Sequence, residues 1–533
     1  MSGSSKKVAG VLVVLAVICA GAYFFVVPRL EAQQGEKVAE FIAKLPGNFT
    51  VGEVTVGFFD KKVTIKDLKG KPGSGADTVY DIHVDLVELE GVNLDAGVKP
   101  GAVRLADSIV VQGFKEIMTV QMPELGQPVI VNLSCQEMAA KGVSGDLAQL
   151  LALNNLPSLP QQPTEEELQD YLNVFNVMMS ALGTIHIDRF EAKKYAFDVP
   201  TPLAISGTIN ALSYSDASIT KIGSMLLDDL KVSALNNEIL SIAKMSCQGM
   251  IIPDMFSLKI DPKNPEQYGK EVLAAFAKTP MVLKDLALEK VSFKPMTPEA
   301  VTLDRVGYDL EIGPEKILFN KGVKNLVIPV SVYSQLGGEA AMLGAVHKKP
   351  LMFDGTVDMQ INQKDGNGDV LLKSLQVVES NFGNVLASGE IPFVGRGEGF
   401  EGLLKHGAAF LVKSATMTIE DKSGLETLLA AQAQQMGGLI DEDKSDLDAL
   451  LDEQEQQLPF SVASLRSGIV DAIRAEAAQA ATDRKKILEG FAQLVGAPGK
   501  LTISVAPEQP VPVDDMYAEG VALNAKVEYI PAK

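Results

Sequence analysis

The chain has 533 residues, 46% of them hydrophobic and 22% charged, with a mean hydropathy of +0.13. That exceeds what one hydrophobic core usually organises and is too apolar for a disordered chain, so two or more domains, or one elongated domain, are expected. A formal net charge of −20 disfavours nucleic acid, whose affinity comes from neutralising phosphates, and disfavours flat adsorption onto anionic head groups.

Lys6 and Lys7 are the only charges in residues 1–7, so everything beyond them carries about −22. Val8 to Val27 (VAGVLVVLAVICAGAYFFVV) then runs without a charge. At about 1.5 Å per helical residue its length matches the ~30 Å hydrocarbon core of a bilayer, so 8–27 reads as a transmembrane anchor. The two lysines place the N-terminus on the cytoplasmic side and send the bulk across. Ala20-Gly21-Ala22 fits a signal-peptidase site, yet the apolar run continues through Tyr23 to Val27, as in uncleaved signal-anchors. A lipoprotein signal needs a small residue before Cys19, where Ile18 stands.

Residues 28–46 carry Val38, Phe41, Ile42 and Leu45 at helical spacing, a juxtamembrane helix. Period-two alternation follows through a β-rich region at 47–262 and a second at 263–421. Val54, Val56 and Phe58 set the pattern; Val63 and Ile65, then Tyr80, Ile82, Val84 and Leu86, continue it. It returns at Ile185 and Ile187, at Val357, Met359 and Ile361, and at Ala415, Met417 and Ile419. Strands with one apolar and one polar face favour antiparallel meanders over a parallel sheet. A helical insertion is expected at about 137–182 and a helix at Asn264 to Lys278. Residues 422–497 form a helical segment, and 498–533 a C-terminal strand (Leu501, Ile503, Val505) and tail. The expected fold class is therefore α+β: a transmembrane helix, then a long, mostly antiparallel sheet, as curved sheet, open groove or sandwich, with inserted helices and a helical segment near the C-terminus. VTIKDLKG at Val63, LSIAKMSCQG at Leu240 and VTLDRVGYDL at Val301 echo one another as a degenerate strand repeat of irregular period.

No chemical motif stands out. The acids from Asp441 to Glu455 alternate with Ile440, Leu447, Leu450 and Leu451 at helical spacing, as the outer face of an amphipathic helix does. Asp365, Asn367 and Asp369 begin like a calcium loop, but Val370 stands where its glycine is required, and a hairpin turn accounts for them better. His83, His186, His347 and His406 are isolated, no zinc-ligand spacing occurs, and neither a nucleophile elbow nor a phosphate loop is present. No catalytic, metal-binding or cofactor-binding residue is assigned and no cofactor is expected. Cys135 and Cys247 remain either a disulfide or two buried thiols.

The segments LPGNFTVGEVTVGFFDKKVTIKDLKG (Leu45 to Gly70), LASGEIP (Leu386 to Pro392), IEDKSGLETLLAAQAQQMG and PGKLTISVAPEQPVPV resemble the AsmA-like bacterial envelope proteins, in particular the YdgA-type relatives. The resemblance implies a single-pass protein of a Gram-negative inner membrane, its bulk periplasmic, that takes part in outer-membrane or envelope assembly, with long members passing lipid along an apolar groove of β-sheet. The function expected is non-catalytic: lipid holding or passage, its partners the bilayer and phospholipid acyl chains. The alternatives are an anchored scaffold for envelope proteins and a hydrolase whose site is assembled from distant residues. Strand alternation alone serves a lipid groove and a filled core equally well.

Overall fold

The computed structural model describes residues 31–44, 48–57, 61–71, 78–93, 101–122, 127–152, 168–200, 204–254, 258, 265–295, 297–313, 315–336, 338–364, 367–396, 408–442, 461–516, 518 and 521–532. The chain divides into two compact units, Met1–Leu288 and Glu289–Lys533.

In the first unit α1 (Glu31–Lys44) precedes nine strands: β1 (Glu53–Gly57), β2 (Lys62–Gly70), β3 (Thr78–Glu90), β4 (Val103–Met122), β5 (Gln127–Gly145), β6 (His186–Val199), β7 (Ile205–Ser218), β8 (Lys221–Ala234) and β9 (Asn237–Cys247). Each pairs antiparallel with its chain neighbour. Two helices, α2 (Leu147–Ala152) and α3 (Leu168–Gly183), lie between β5 and β6. β10 (Met250–Ile251) pairs with β8 and with β11 (Met281–Phe293), and α4 (Pro265–Lys278) joins β10 to β11. Asp146 opens α2 as an N-cap, its Oδ1 accepting from Gln149 N at 3.2 Å while Oδ2 accepts from Gly101 N at 3.0 Å.

In the second unit β12 (Val301–Ile312), β13 (Lys316–Ile328), β14 (Leu351–Lys364), β15 (Asn367–Glu379) and β16 (Gly383–Gly395) pair in order, with α5 (Val330–Tyr333) and α6 (Gly338–Val346) between β13 and β14. β17 (Ala408–Val412) and β18 (Ser414–Asp421) both pair with β16. Then come α7 (Gly424–Glu442), α8 (Val462–Gln479), α9 (Thr482–Gly496), β19 (Gly499–Val505), β20 (Val511–Pro512) and β21 (Lys526–Pro531). β19 bridges β18 and β21. Asp421 Oδ1 caps α7 through Leu425 N at 3.1 Å, and a Ser461–Ser464 capping box opens α8.

The strands of the first unit share one irregularity. Between β2 and β9 the register skips Asp67, Asp85, Gly113, Gln136, Lys194, Asn210, Asp229 and Ala243, which face one another strand to strand. At this crease two successive residues turn to the polar side, so the apolar alternation changes parity: Ile65 is followed inward by Leu68, Val84 by Val87, Val111 by Phe114. A second crease crosses β4 to β8 at Asp107, Gly142, Asp188, Asp216 and Gly223. Because the skipped residues face each other in pairs, the register is the same on both sides of each crease. The left-handed backbone alternates along them, at Asp67, Gly113, Lys194 and Asp229 in the first crease and at Gly142 and Asp216 in the second. Gly113 and Gly142 cannot be replaced freely: each has φ of +66°, and a Cβ there would collide with the carboxylates of Asp85 and Asp188.

The deepest packing is at the ends of the strand order. In the first unit Val38 and Ile42 of α1 close over Ile65, Val87 and Leu89, all three fully buried, with Val63, Leu68, Ile109 and Phe114 around them. A small cluster of Leu105, Leu147, Leu150 and Ala181 seats α2 and α3. In the second unit Leu494 of α9 packs with Leu501, Ile503 and Val505 of β19 and with Leu523 and Ala525.

The expected fold class and localisation need correction. The protein described is mostly antiparallel β, and among the described residues no helix is long and apolar enough to cross a membrane. The longest of them, α7, carries Glu426, Asp441 and Glu442. A single-pass architecture and an inner-membrane location have no support in this structure; the run Val8 to Val27 lies outside the described residues. The helical insertion also begins later than expected, because β5 continues to Gly145, where Glu137 pairs with Lys193 and Lys141 with Arg189 across β5 and β6. The division between units falls at 288/289, within β11 and not near 262. Lys364 pairs with Asn367, closing a two-residue hairpin whose Asp365 and Gly366 lie outside the described residues.

Candidate functional site

Each unit carries an apolar sheet face; in the first it extends from the closed core, with Phe190, Tyr195, Leu212 and Tyr214 packed partly buried against that core. In the first unit, register places Phe190, Ala192 and Tyr195 of β6 beside Tyr214, Leu212 and Ile209 of β7. These adjoin Met225, Leu227 and Leu230 of β8, then Met245 and Ile242 of β9. Over β7 to β9 only Gly207, Ala217 and Cys247 are buried; every large side chain of the face is half-buried.

The second unit repeats the arrangement. Val306, Tyr308, Leu310 and Ile312 of β12 stand opposite Val323, Lys321, Phe319 and Ile317 of β13, which meet Val357, Met359 and Ile361 of β14 and, beyond them, Leu375, Leu372 and Val370 of β15. No residue of β12 or β13 is buried. In β14 to β16 the buried positions, Leu351, Gln363, Glu379, Gly383 and Phe393, lie at or near strand ends. A filled sandwich shows the reverse, with strand centres most deeply buried and the ends frayed.

Aromatic pairs organise both faces: Phe190 stacks on Tyr214 with centroids 4.6 Å apart, and Tyr308 meets Phe319 edge-on at 5.4 Å. The first face is dry enough that burial pushes the Tyr214 phenol up to about 12. Burial, with the charge of Glu116 as a second cause, also raises Tyr195 and Tyr80. Glu116 itself, 6% exposed, lies between Ile82 and Leu133.

The opposite face of the first unit is a lattice of ion pairs along the creases. His83 Nε2 approaches Asp67 at 2.9 Å and Asp85 at 3.7 Å. Arg104 joins Asp188 at 2.8 Å and Asp107 at 3.4 Å, His186 lies 3.3 Å from Asp188, and Lys221 pairs with Asp216. The Arg104 guanidinium holds the Asp188 carboxyl below its ordinary range, and Lys69 with His83 does the same for Asp67. These groups are half-buried to exposed, and His186 stands between Ser144 of β5 and Ser218 of β7 in the register. Among the described residues no group of three or more His, Cys, Asp or Glu side chains could hold a metal.

Cys135 and Cys247 are buried free thiols. They sit on β5 and β9 with three strands between them, about 19 Å at ~4.8 Å per strand, well beyond the Cα separation of a disulfide. Each donates to backbone, Cys135 to Glu137 O and Lys193 O, Cys247 to Lys284 O, and burial raises both above the ordinary thiol range. His347 packs against Phe382 at 4.6 Å between centroids, and its Nε2 has no hydrogen-bond partner among the described residues. His406 and the acids from Asp443 to Glu455 lie outside those residues. The sequence did not single out Phe190, Tyr214, Tyr308 or Phe319; their signal was the apolar alternation, read without its changes of parity.

No curated protein matches the chain. Residues 439–528, which include α8, α9 and β19, match a protein family described as "Uncharacterized protein".

Proposed function

We propose that this chain is a non-catalytic binder of lipid acyl chains, which lie along the apolar sheet faces of its two units. The supporting observation is the half-burial of strand centres on β7–β9 and β12–β16, where a filled core would be driest. Sequestering each methylene is worth about 0.8 kcal/mol, so a sixteen-carbon chain gains on the order of 10 kcal/mol before the costs of association. The resemblance to AsmA-like proteins, whose long members are associated with lipid passage along such a face, agrees. The two buried thiols, raised above their ordinary range, are poor nucleophiles, which favours binding over cysteine catalysis.

The test uses the full chain, purified in mild detergent, extracted for lipid mass spectrometry and labelled with a photoactivatable fatty acid. Labelled peptides are expected from β7–β9 and β12–β15. Leu230→Asp or Phe319→Asp should abolish labelling in its own unit, while Ile117→Asp, outward-facing and 48% exposed, should leave it intact. Absence of both co-purifying lipid and labelling would sink the proposal, and a stoichiometric protein partner in their place would favour the scaffold.

A further inference from the structure

The polar face of the second unit holds a depression of about 480 Å³ that the acyl-chain reading does not use. Gly307 and Gly322 stand directly opposite each other on β12 and β13 and form its floor. A Cβ at either would meet nothing within 4 Å, so the absence of side chains leaves open space and relieves no crowding. Facing glycines in strand interiors cost stability and mark close approach of a ligand or another backbone.

Next to them Arg305 and Lys324 are also direct cross-strand partners, two cations face to face on the rim. Like charges so placed repel. Two acids stand nearby, and both accept hydrogen bonds. Asp304 accepts from Lys290 Nζ at 2.7 Å and Asn325 Nδ2 at 3.0 Å, and Asp354, which also lines the depression, accepts from Asn325 N at 2.6 Å. Arg305 reaches Glu289 only at 3.9 Å, and Lys324 feels the charge of Asp304. Thr356 and Gln376 add a hydroxyl and an amide to the wall, beside Val323, Gly355 and Val378.

We infer that this depression is an oxyanion site for a phosphate group. Arg305 and Lys324 supply charge-assisted donors, Thr356 and Gln376 neutral ones, and the glycine floor the room. Two unfavourable pairs, Gly–Gly and Arg–Lys, are then explained together by one bound anion. The inference does not rest on the acyl-chain reading and stands if that reading fails.

The experiment is calorimetric titration of the full chain with inorganic phosphate and glycerol phosphate, alongside flotation with neutral vesicles with and without phosphatidic acid. Wild type should bind a phosphate probe saturably and be stabilised by it against heat. R305Q/K324Q, checked for folding by circular dichroism, should bind at least tenfold more weakly and lose the thermal shift, whereas K373Q on the same face should match wild type. Soluble phosphates binding as tightly as vesicles would identify a free ligand; vesicle binding alone, lost in R305Q/K324Q, would identify a head group. No saturable binding of either probe, or equal binding by wild type and a folded R305Q/K324Q, overturns the inference.

Discussion

Replacing Gly490 by alanine sets two effects of similar size against each other. Gly490 lies in α9, where alanine is intrinsically better than glycine by about 1 kcal/mol. It is also buried against β19 and β21, and the new methyl would stand 2.6 Å from Val527 Cγ1 and 2.9 Å from Leu501 Cδ1. Val527 is β-branched and stiff, and Leu501 is fully buried, so neither can swing aside and the overpacking falls toward the upper part of ~1–3 kcal/mol. The net loss expected is about 1–2 kcal/mol, which lowers the Tm of the second unit by roughly 2–8 °C at ~2–4 °C per kcal/mol. Gly468 in α8 is the control: it is exposed, with nothing within 4 Å of its Cβ position, so Gly468→Ala should raise the same Tm by about 2–4 °C. Differential scanning calorimetry resolves the pair. A Gly490→Ala protein stabilised as much as Gly468→Ala would refute the tight seating of α9 on the sheet.

Four further outcomes are expected. Ile65→Ala, in the closed core under α1, should cost about 2–5 kcal/mol in urea unfolding. Leu227→Ala on the half-buried face should cost about 1 kcal/mol, and equal losses at both sites would mean that the face is packed like a core. Burial holds His347 below its ordinary value, so the unfolded chain binds the proton more readily. Its contribution is therefore present above the unfolded value of about 6.5 and lost as pH falls through the lower folded value; His347→Gln should shrink the drop in Tm between pH 7.5 and 5, and an unchanged drop would exclude His347 as its source. Native protein at pH 7 should modify Cys135 and Cys247 slowly with an aromatic disulfide reagent and rapidly once unfolded, whereas a Cys135–Cys247 linked peptide in a non-reducing digest would contradict the fold.

Much of the sheet was legible from alternation alone, as at Val63 and Ile65 or at Leu501, Ile503 and Val505, because one-sided burial writes period two directly into strands. The creases were not. Leu86 continues the alternation of Tyr80, Ile82 and Val84 in the sequence, yet Val87 is the buried residue, because the strand changes parity at Asp85. The changes fall on Asp, Asn, Lys, Gln and Ala as readily as on Gly, so no turn residue announces them. In retrospect the echo among VTIKDLKG, LSIAKMSCQG and VTLDRVGYDL was this device: an apolar residue, another two places on, and a third three beyond that. Within the stretch expected to be helical, Met138, Ala139 and Ala140 are good helix formers that cross-strand pairing with β6 holds extended. Whether the face is open or filled depends on what packs over it, and strand pattern is the same in both cases.

The aligned creases set what lengths of chain the protein can lose. Removing one residue from an ordinary strand turns every side chain beyond it to the wrong face. Here each strand from β2 to β9 carries its extra residue at the same level, so a deletion at Gly113 would throw one half of β4 out of phase with β3 and β5 while sparing the other half. A whole hairpin such as β7–β8, by contrast, contains its own matched pairs, Asn210 with Asp229 and Asp216 with Gly223, and could be gained or lost without dephasing the first crease on either side. Such a sheet tolerates change in steps of two strands, and the extent of its apolar face is quantised accordingly.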